Sequence, residues 1–308
     1  MDYKHFMYCP FTGLGRYDGF RGNTWLKNRI KIFKQFVVPS LQAQTCKDFT
    51  LWCSWRREEK HNPHVRELTE YLDQIQEFKT IHTYGGVCFY DDKYPDQTAR
   101  ERLIISLQGA IMEKLINETE GERGYEWVYM TIQPSDDCYH KNAVAVIQDT
   151  LRDSKFQAVG FQQGYVANYQ TKEVAEYNPT TNPPFYTIKF PRPVFVEAYR
   201  HAKYTALKHD VGQYKAGTPL PSHEYVGHAL NYAVIKGRWF LVGTHGVNIS
   251  TTWQIPFKGE AVSGAVLDDF GIGNVPPLQI SVPLLKKLYI SLPHKVQRKL
   301  RYFREKFR

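Results

Sequence analysis

The chain has 308 residues, of which 42% are hydrophobic, and carries a formal net charge of +9. Residues 281–308 hold five Lys and four Arg against one Glu, so the rest of the chain is close to neutral. A nearly neutral body argues against a nucleic-acid-binding protein, and we expect no nucleic-acid partner. No apolar run has the length of a membrane span. Five scattered cysteines without a C-x-x-C pair favour a reducing, cytoplasmic compartment.

In the first half of the chain, predicted strands alternate with predicted helices. Residue composition and apolar spacing predict strands at 3–8, 49–54, 79–83 and 126–132, and helices at 25–38, 65–78 and 99–118. Pro39 is expected to end the first helix. Such alternation predicts an α/β fold: a central, mostly parallel mixed sheet with helices on both faces.

The second half is richer in Gly and Pro, and its predicted strands are shorter. We predict strands at 156–161, 164–169, 174–177 and 239–243, a Pro-rich loop at 178–193, and a mobile region at 256–283. We find neither an internal repeat nor a low-complexity linker. The sequence therefore indicates one domain over residues 1–280 and a basic tail at 281–308.

Two adjacent carboxylates, Asp136 and Asp137, follow the predicted strand 126–132. Pro134 ends that strand, because proline has no N–H for the ladder. In open α/β sheets, ligands bind outside the carboxyl ends of the strands. Neighbouring carboxylates favour a bound cation, although a turn in which an Asp caps the next helix has the same spacing. Spacing alone leaves these two interpretations open.

Two further segments carry a resemblance to a known family. They are Trp25-Leu26-x-x-Arg29-x-x-x-Phe33-x-x-Phe36-Val37-Val38-Pro39-Ser40-Leu41-x-x-Gln44 and His245-Gly246-x-Asn248-x-Ser250. Together with Gly164-Tyr165 and the Asp pair, they resemble rhamnosyltransferases, which are glycosyltransferases of the GT-A fold, in patches over residues 3–253. The resemblance implies a single GT-A-like domain and an inverting transfer from a nucleotide-sugar donor, with rhamnose as one candidate sugar. The implied acceptor is a glycan or a lipid-linked molecule.

The sequence departs from the family at one position of the metal motif. Pro134 stands where the family has the first Asp of an Asp-Ser-Asp-Asp pattern. A divalent cation would neutralise the leaving diphosphate, and Mn²⁺ or Mg²⁺ suits oxygen ligands. Our candidate ligands are Asp137, Asp136 and His245, and the missing carboxylate weakens the expected metal dependence. His245 could instead be a hydrogen-bonded loop residue. The absence of the motif carboxylate at Pro134 also keeps a second hypothesis open, namely that the protein is a non-catalytic carbohydrate-binding relative.

Other residues are candidates for the donor and for the base. The resemblance implies a carboxylate base near Glu224, which could otherwise be a first-turn Glu favoured by the helix dipole. We predict that the donor contacts Ser135 and Asn248 as well as Asp136. Arg29 and Arg100 could reach its diphosphate or be exposed helix residues, and Tyr8 could stack on the nucleobase or pack in the core.

The tail has the pattern of a basic amphipathic helix. After Pro293, apolar residues recur at helical spacing and basic residues occupy most of the other positions: Val296, Leu300, Phe303 and Phe307 form the apolar set. Such a helix can lie on an anionic membrane surface, or it can dock on the catalytic body. The first alternative predicts a cytoplasmic protein that is peripheral at the membrane.

Overall fold

The computed structural model describes residues 3–9, 11–12, 23–86, 125–152, 154–180, 182–192, 226, 230–246, 248, 259–280 and 296. Structural statements below concern these residues. The predicted helix at 99–118, Arg100, Glu224 and the basic tail apart from Val296 lie outside them. The division into a domain and a tail therefore stays a prediction.

The described residues form strands joined by helices in the order that the first half of the sequence predicts. The strands are β1 (Tyr3–Cys9), β2 (Thr50–Arg56), β3 (Lys79–Gly86), β4 (Trp127–Ile132), β5 (Cys138–Tyr139), β6 (Ala158–Asn168), β7 (Val174–Tyr177), β8 (Tyr186–Pro191), β9 (Tyr232–Thr244) and β10 (Ala261–Val262). The helices are α1 (Asn23–Ile32), α2 (Val38–Gln42), α3 (Pro63–Asp73) and α4 (Ala143–Arg152). Two 3₁₀ helices, Arg57–His61 and Gly264–Phe270, and a π-helical segment, Phe33–Val37, complete the regular structure of this part of the chain.

The strands belong to one mixed sheet of order β10-β7-β6-β8-β4-β1-β2-β3, and β9 pairs with β5 and β6. β1 runs parallel to both β2 and β4, and β2 runs parallel to β3. The antiparallel pairings of β8 with β4 and β6 extend the sheet on the other side. The predicted α/β class, with a central, mostly parallel mixed sheet, is confirmed.

The strand order reverses between β1 and β4. From β1 the chain proceeds to β2 and β3 on one side, and it then returns to form β4 on the other side of β1. In open α/β sheets, ligands bind at such a reversal, outside the carboxyl ends of the two strands. The acidic pair that follows β4 therefore lies at the place where open α/β sheets bind ligands.

The described helices pack against one face of the sheet. Leu26 of α1, Val65 of α3 and Val144 of α4 share a buried cluster with Met7 and Leu51 from alternate strand positions. Burying each such side chain contributes about 1.5–3 kcal/mol, so this layer is a main source of stability. Side chains at the intervening strand positions form a second cluster on the other face: Phe6, Tyr8, Trp52, Val128 and others, with Val226 and Leu230.

The prediction that Pro39 ends the first helix is wrong. A π-helical segment, Phe33–Val37, follows α1, and the Val38 N–H closes it by bonding to the Phe33 carbonyl. The π-helical turn is wider than an α-helical turn, and a new α-helical segment, α2, begins directly after it. Pro39 therefore falls in the first turn of α2. Proline is tolerated in a first turn because its missing N–H has no intrahelical partner there. The helix therefore continues to Gln42.

The second half is more regular than predicted. The Pro-rich loop at 178–193 contains β8, and the strands predicted at 156–161 and 164–169 are the single strand β6. The prolines of this segment predicted a loop, but β8 includes Lys189, whose side chain is buried and whose ammonium donates to the Leu151 carbonyl, 2.8 Å away. Within 256–283, residues 259–280 contain β10 and a 3₁₀ helix whose Leu267 and Phe270 are buried.

His5 makes the stability of the fold depend on pH. Its ring is buried, with Nε2 2.7 Å from Thr131 Oγ1 and Nδ1 3.1 Å from Gln148 Nε2. Burial lowers its pKa from 6.5 to about 3. Below about pH 6.5, His5 therefore binds a proton in the unfolded chain but not in the folded protein. The folded protein loses stability relative to the unfolded chain as the pH falls from about 6.5 to about 3.

We expect the free energy of unfolding to fall by roughly 2 kcal/mol from this one group between about pH 7.5 and about pH 5. Urea unfolding at the two pH values measures the loss. In His5→Gln, which cannot titrate, the pH dependence should be smaller by that amount. An unchanged pH dependence in His5→Gln would contradict this assignment.

Candidate active site

Three side chains from distant parts of the chain meet at the carboxyl ends of β1 and β4. The Arg29 guanidinium pairs through Nη1 with Asp136 Oδ2, and His245 Nε2 lies 3.1 Å from the same oxygen. The Arg29 and His245 side chains are 5% and 0% exposed, whereas that of Asp136 is 19% exposed. We call these three residues the Asp136 cluster. Solvent or a ligand reaches it through the carboxylate.

The fold explains why these residues meet. Arg29 lies on α1, the helix after β1, and Asp136 lies just beyond the end of β4. Because β1 and β4 are parallel neighbours, their carboxyl ends share one edge of the sheet. β9 runs parallel to β6 and ends at Thr244, so it delivers His245 to that edge.

The cluster is electrostatically stabilised in its ionised form. Burial alone would raise the pKa of Asp136, but the Arg29 charge and the His245 hydrogen bond outweigh it and hold that pKa well below its ordinary value. Arg29 also stacks over the Trp25 ring at 5.4 Å. Arg29 is therefore not the exposed helix residue that the sequence left as an alternative.

The loop after β9 is closed by Asn248. Its Oδ1 accepts from the His245 N–H at 2.7 Å, and its Nδ2 donates to the Gly243 carbonyl at 2.6 Å. Gly246 has φ +73°, a left-handed conformation that favours glycine. Asn248, which we predicted to contact the donor, thus uses both ends of its amide to place His245. The motif His245-Gly246-x-Asn248 is explained by this loop geometry.

Asp137 turns away from the cluster. Its Oδ1 accepts from the Gly243 N–H at 2.9 Å, and the residue is buried. Burial, and next the charge of Asp136, raise the pKa of Asp137 well above its ordinary value. Its Oδ1, which is buried and bonded to backbone, is poorly placed to bind a hard cation as well. We infer that Asp137 shapes the loop between β4 and β5.

The predicted metal ligands do not assemble into a cation site. Asp136 Oδ2 is taken by Arg29 and His245, and Asp137 faces Gly243. In the part of the chain that the structure describes, no three His, Cys, Asp or Glu side chains are grouped to hold a metal. These residues therefore do not fit a divalent cation in this arrangement, and the need for Mn²⁺ or Mg²⁺ stays a prediction.

Sequence reasoning missed three residues that hold the Asp136 loop in place. Gln133 Nε2 donates to the carbonyls of Pro134 and Asp137, at 2.8 and 3.0 Å. The Tyr169 hydroxyl donates to the Asp136 carbonyl at 3.0 Å, and its ring stacks on Phe36. Gly243 lies against both Tyr169 and the Asp136 carbonyl. Tyr169 and Gly243 act from other strands, so no local pattern indicates them, whereas Gln133 acts within its own loop.

The remaining predicted donor residues have different positions. Tyr8 is 4% exposed in β1, with its ring centroid 4.2 Å from that of Trp52, so it packs in the core, as the sequence allowed. Ser135 is half-buried in the bend that leads to Asp136. Arg100 and Glu224 lie outside the described residues, so their predicted roles stay predictions.

None of the described helices is long and apolar enough to cross a membrane.

Comparison with known proteins gives only distant likenesses. No protein-family profile and no curated protein matches the chain. Among solved structures, it is similar to residues 1–349 of S. aureus TarS, with 10% identity over 79% of this chain and a TM-score of 0.39. The complex of that protein with UDP-GlcNAc gives 11% identity over 79% of this chain and a TM-score of 0.38. The chain covers 60% and 59% of those two chains.

A 4-diphosphocytidyl-2C-methyl-D-erythritol synthase is similar at 10% identity, over 76% of this chain and 89% of that one, with a TM-score of 0.33. At such scores the likenesses carry no argument about the site. The functional argument rests on the geometry of the Asp136 cluster.

Proposed function

We propose that the chain is a glycosyltransferase that takes a sugar from a nucleotide-sugar donor, in which the sugar is attached to a nucleoside diphosphate. The observation that carries this proposal is the buried Asp136 cluster at the reversal of strand order between β1 and β4. That position suits a nucleotide, and an arginine and a histidine there can meet the charge of a diphosphate. The resemblance of the Trp25–Gln44 and His245–Ser250 segments to rhamnosyltransferases points to the same class of donor.

In the proposed reaction, the bond between the sugar and the diphosphate breaks and negative charge develops on the leaving phosphate. In this proposal Arg29 stabilises that charge through guanidinium N–H groups other than the one paired with Asp136, and Asp136 orients Arg29 and His245 before the donor arrives. Preorganised donors of this kind contribute more inside a water-poor site than in solution. Glu224 is the proposed base that removes the proton of the acceptor hydroxyl, as an inverting transfer requires.

The acceptor is proposed to be a glycan or a lipid-linked molecule, and rhamnose is one candidate sugar. A lipid-linked acceptor would fit a basic tail at 281–308 that rests on an anionic cytoplasmic membrane surface. The second candidate function is carbohydrate binding without transfer. It is favoured by the loss of one motif carboxylate at Pro134 and by the bond of Asp137 to the Gly243 N–H, which turns that carboxyl group away from the cluster.

A panel of UDP-, GDP- and dTDP-sugars tests the proposal by thermal shift and by hydrolysis of the donor. We expect one nucleotide class to raise the melting temperature and to be hydrolysed, since ligand binding to the folded state stabilises it. The Arg29→Met variant should lose the shift with that nucleotide. A shift without turnover supports the non-catalytic alternative, and the absence of both contradicts the proposal.

The same assay decides the metal prediction. Donor turnover is measured after treatment with EDTA and again after adding back Mn²⁺ or Mg²⁺. Turnover that survives EDTA means that the side chains around Asp136 suffice for the leaving diphosphate. Turnover that requires the metal means that these side chains do not suffice and that a cation would supply the additional charge.

A further inference from the structure

Strand β9 carries two bulges before it reaches the Asp136 cluster. In its pairing with β6, Phe161 lies opposite Ile235, Gln163 opposite Arg238 and Tyr165 opposite Leu241. Each step of two residues in β6 therefore faces a step of three in β9. Bulges bend a strand and redirect side chains, and they are typically preserved for that purpose. Two of them on either side of Arg238 indicate that this part of β9 presents specific side chains.

The first bulge fixes the position of Trp239. Gly237, within it, has φ +111°, a conformation that other residues rarely adopt. A Cβ at Gly237 would lie 2.8 Å from the Trp239 indole nitrogen. That nitrogen donates to the Lys236 carbonyl at 2.7 Å. The indole is thus folded against the bulge in one orientation.

The redirected side chains line a pocket of about 290 Å³ between β9 and the 3₁₀ helix Gly264–Phe270. Its lining consists of three aromatic rings, one aliphatic side chain and two charged groups: His140, Tyr165, Arg238, Trp239, Val266 and Asp269. The volume lies at the lower end of the range for ligand pockets, about 300–1,000 Å³. It suits a small ring better than a nucleotide.

The charges of the pocket are already compensated. Arg238 pairs with Glu176 at 2.6 Å and donates to Asn178 Oδ1 at 2.9 Å. Asp269 pairs with Lys141 at 2.8 Å. An anionic ligand would have to compete with these partners. The polar side chains of the pocket can form directional hydrogen bonds to a ligand, but the pocket presents no uncompensated charge to it. We infer that it takes a neutral, hydroxyl-rich ligand.

The aromatic rings complete this chemistry. The Trp239 ring is half-buried, is backed by Phe161 at 5.8 Å and meets His140 edge-on at 5.0 Å. An indole face held in place binds the apolar C–H face of a sugar, and the surrounding polar side chains can bond its hydroxyls. We propose that this pocket is a saccharide-binding subsite, centred on Trp239 and distinct from the Asp136 cluster.

The subsite lies on the strand that delivers His245. From Trp239 to His245 the strand spans about 20 Å, the length of several sugar units. If the proposed function holds, the saccharide bound in this pocket is a distal unit of the glycan acceptor. Only this identification of the saccharide as part of the acceptor rests on the proposed function. Saccharide binding itself requires neither the donor nor transfer.

Saturation-transfer NMR on the full chain without nucleotide tests the proposal. The probes are free glucose, galactose, N-acetylglucosamine and rhamnose and their short oligomers. We expect at least one saccharide to bind wild-type protein, and Trp239→Ala to weaken that binding roughly tenfold. Trp239→Phe should retain part of it. Trp127→Ala, which removes another half-buried indole, on β4 and outside the pocket lining, is the matched control and should bind normally.

A second variant keeps the test decisive should Trp239→Ala fail to fold. Val266→Trp fills the pocket from its rim without emptying the core, and it should abolish saccharide binding while the melting temperature stays near that of wild type. Failure of every probe to bind wild type, or undiminished binding by folded Trp239→Ala or Val266→Trp, overturns the subsite. Saccharide binding by a protein that hydrolyses no donor would refute the transferase function and leave the subsite standing.

Discussion

Asp136→Asn is expected to lower donor turnover by roughly 10²- to 10³-fold, the effect of removing one preorganised electrostatic group. The substitution keeps the shape of the side chain and removes its charge. Arg29, whose side chain is 5% exposed, then remains buried without its ionic partner. Breaking a buried pair in this way costs about 3 kcal/mol of stability. Steady-state kinetics and urea unfolding measure the two effects.

Asp137→Asn is the matched control, because it makes the same chemical change one residue away. Burial raises the pKa of Asp137 well above its ordinary value, so the substitution removes less charge there than at Asp136, and the amide oxygen of the variant can still accept from the Gly243 N–H. Turnover and stability should stay close to wild type. Losses as large as those of Asp136→Asn would show instead that Asp137 acts as an ionised ligand, as the sequence first suggested.

The double variant Arg29→Met/Asp136→Asn separates stability from activity. Removing both charges of a buried pair is often neutral for stability, whereas removing one is not. We expect the double variant to recover most of the stability lost in Asp136→Asn and none of the turnover. Recovery of turnover as well would mean that the pair serves the fold alone.

Gly243→Ala is the second substitution with a large expected effect. A Cβ at Gly243 would overlap the Tyr169 ring and the Asp136 carbonyl oxygen, and the latter belongs to backbone that cannot simply swing aside. Overpacking of this kind costs about 1–3 kcal/mol. It should also displace Asp136 from Arg29 and His245, so we expect turnover to fall even at temperatures where the variant is fully folded.

Gly264→Ala is the control for a glycine in open surroundings. The nearest atom to a Cβ there is the Lys172 carbonyl oxygen, 3.9 Å away, which is an ordinary contact. Its stability should remain within about 0.5 kcal/mol of wild type, with normal turnover. If Gly243→Ala behaves as mildly as Gly264→Ala, then the fit of β9 against the Asp136 loop does not control the site.

Part of this site could be predicted because it depends on local pattern. The run before Pro134 predicted β4, and its carboxyl end located Asp136 correctly. His245 was also found, through the segment that follows β9. Arg29 was a candidate with an exposed alternative, since helical spacing does not reveal that a charged residue faces a buried carboxylate more than a hundred positions later.

The errors came from interactions that act between segments. Pro39 stops a helix by local rules, but the π-helical segment before it changes the hydrogen-bond register. The prolines near Lys189 predicted a loop, yet Lys189 lies in β8 and its ammonium bonds to a backbone carbonyl beneath the sheet. The raised pKa of Asp137 comes first from burial and next from the charge of Asp136, which together outweigh the Gly243 N–H. Such effects are absent from any short window of sequence.

The spacing of the Asp136 cluster along the chain has a consequence for biosynthesis. Asp136 and His245 are 109 positions apart in the sequence. The pairing of β1 with β4, in which Tyr3 lies opposite Trp127, also joins distant segments and forms only after β4 has been synthesised. Contacts of such long range close large loops and form slowly. A nascent chain that ends before β9 lacks both the Gly243 N–H and the histidine. The ribosome must therefore translate past Asn248 before the polypeptide can hold its acidic loop in the conformation described here.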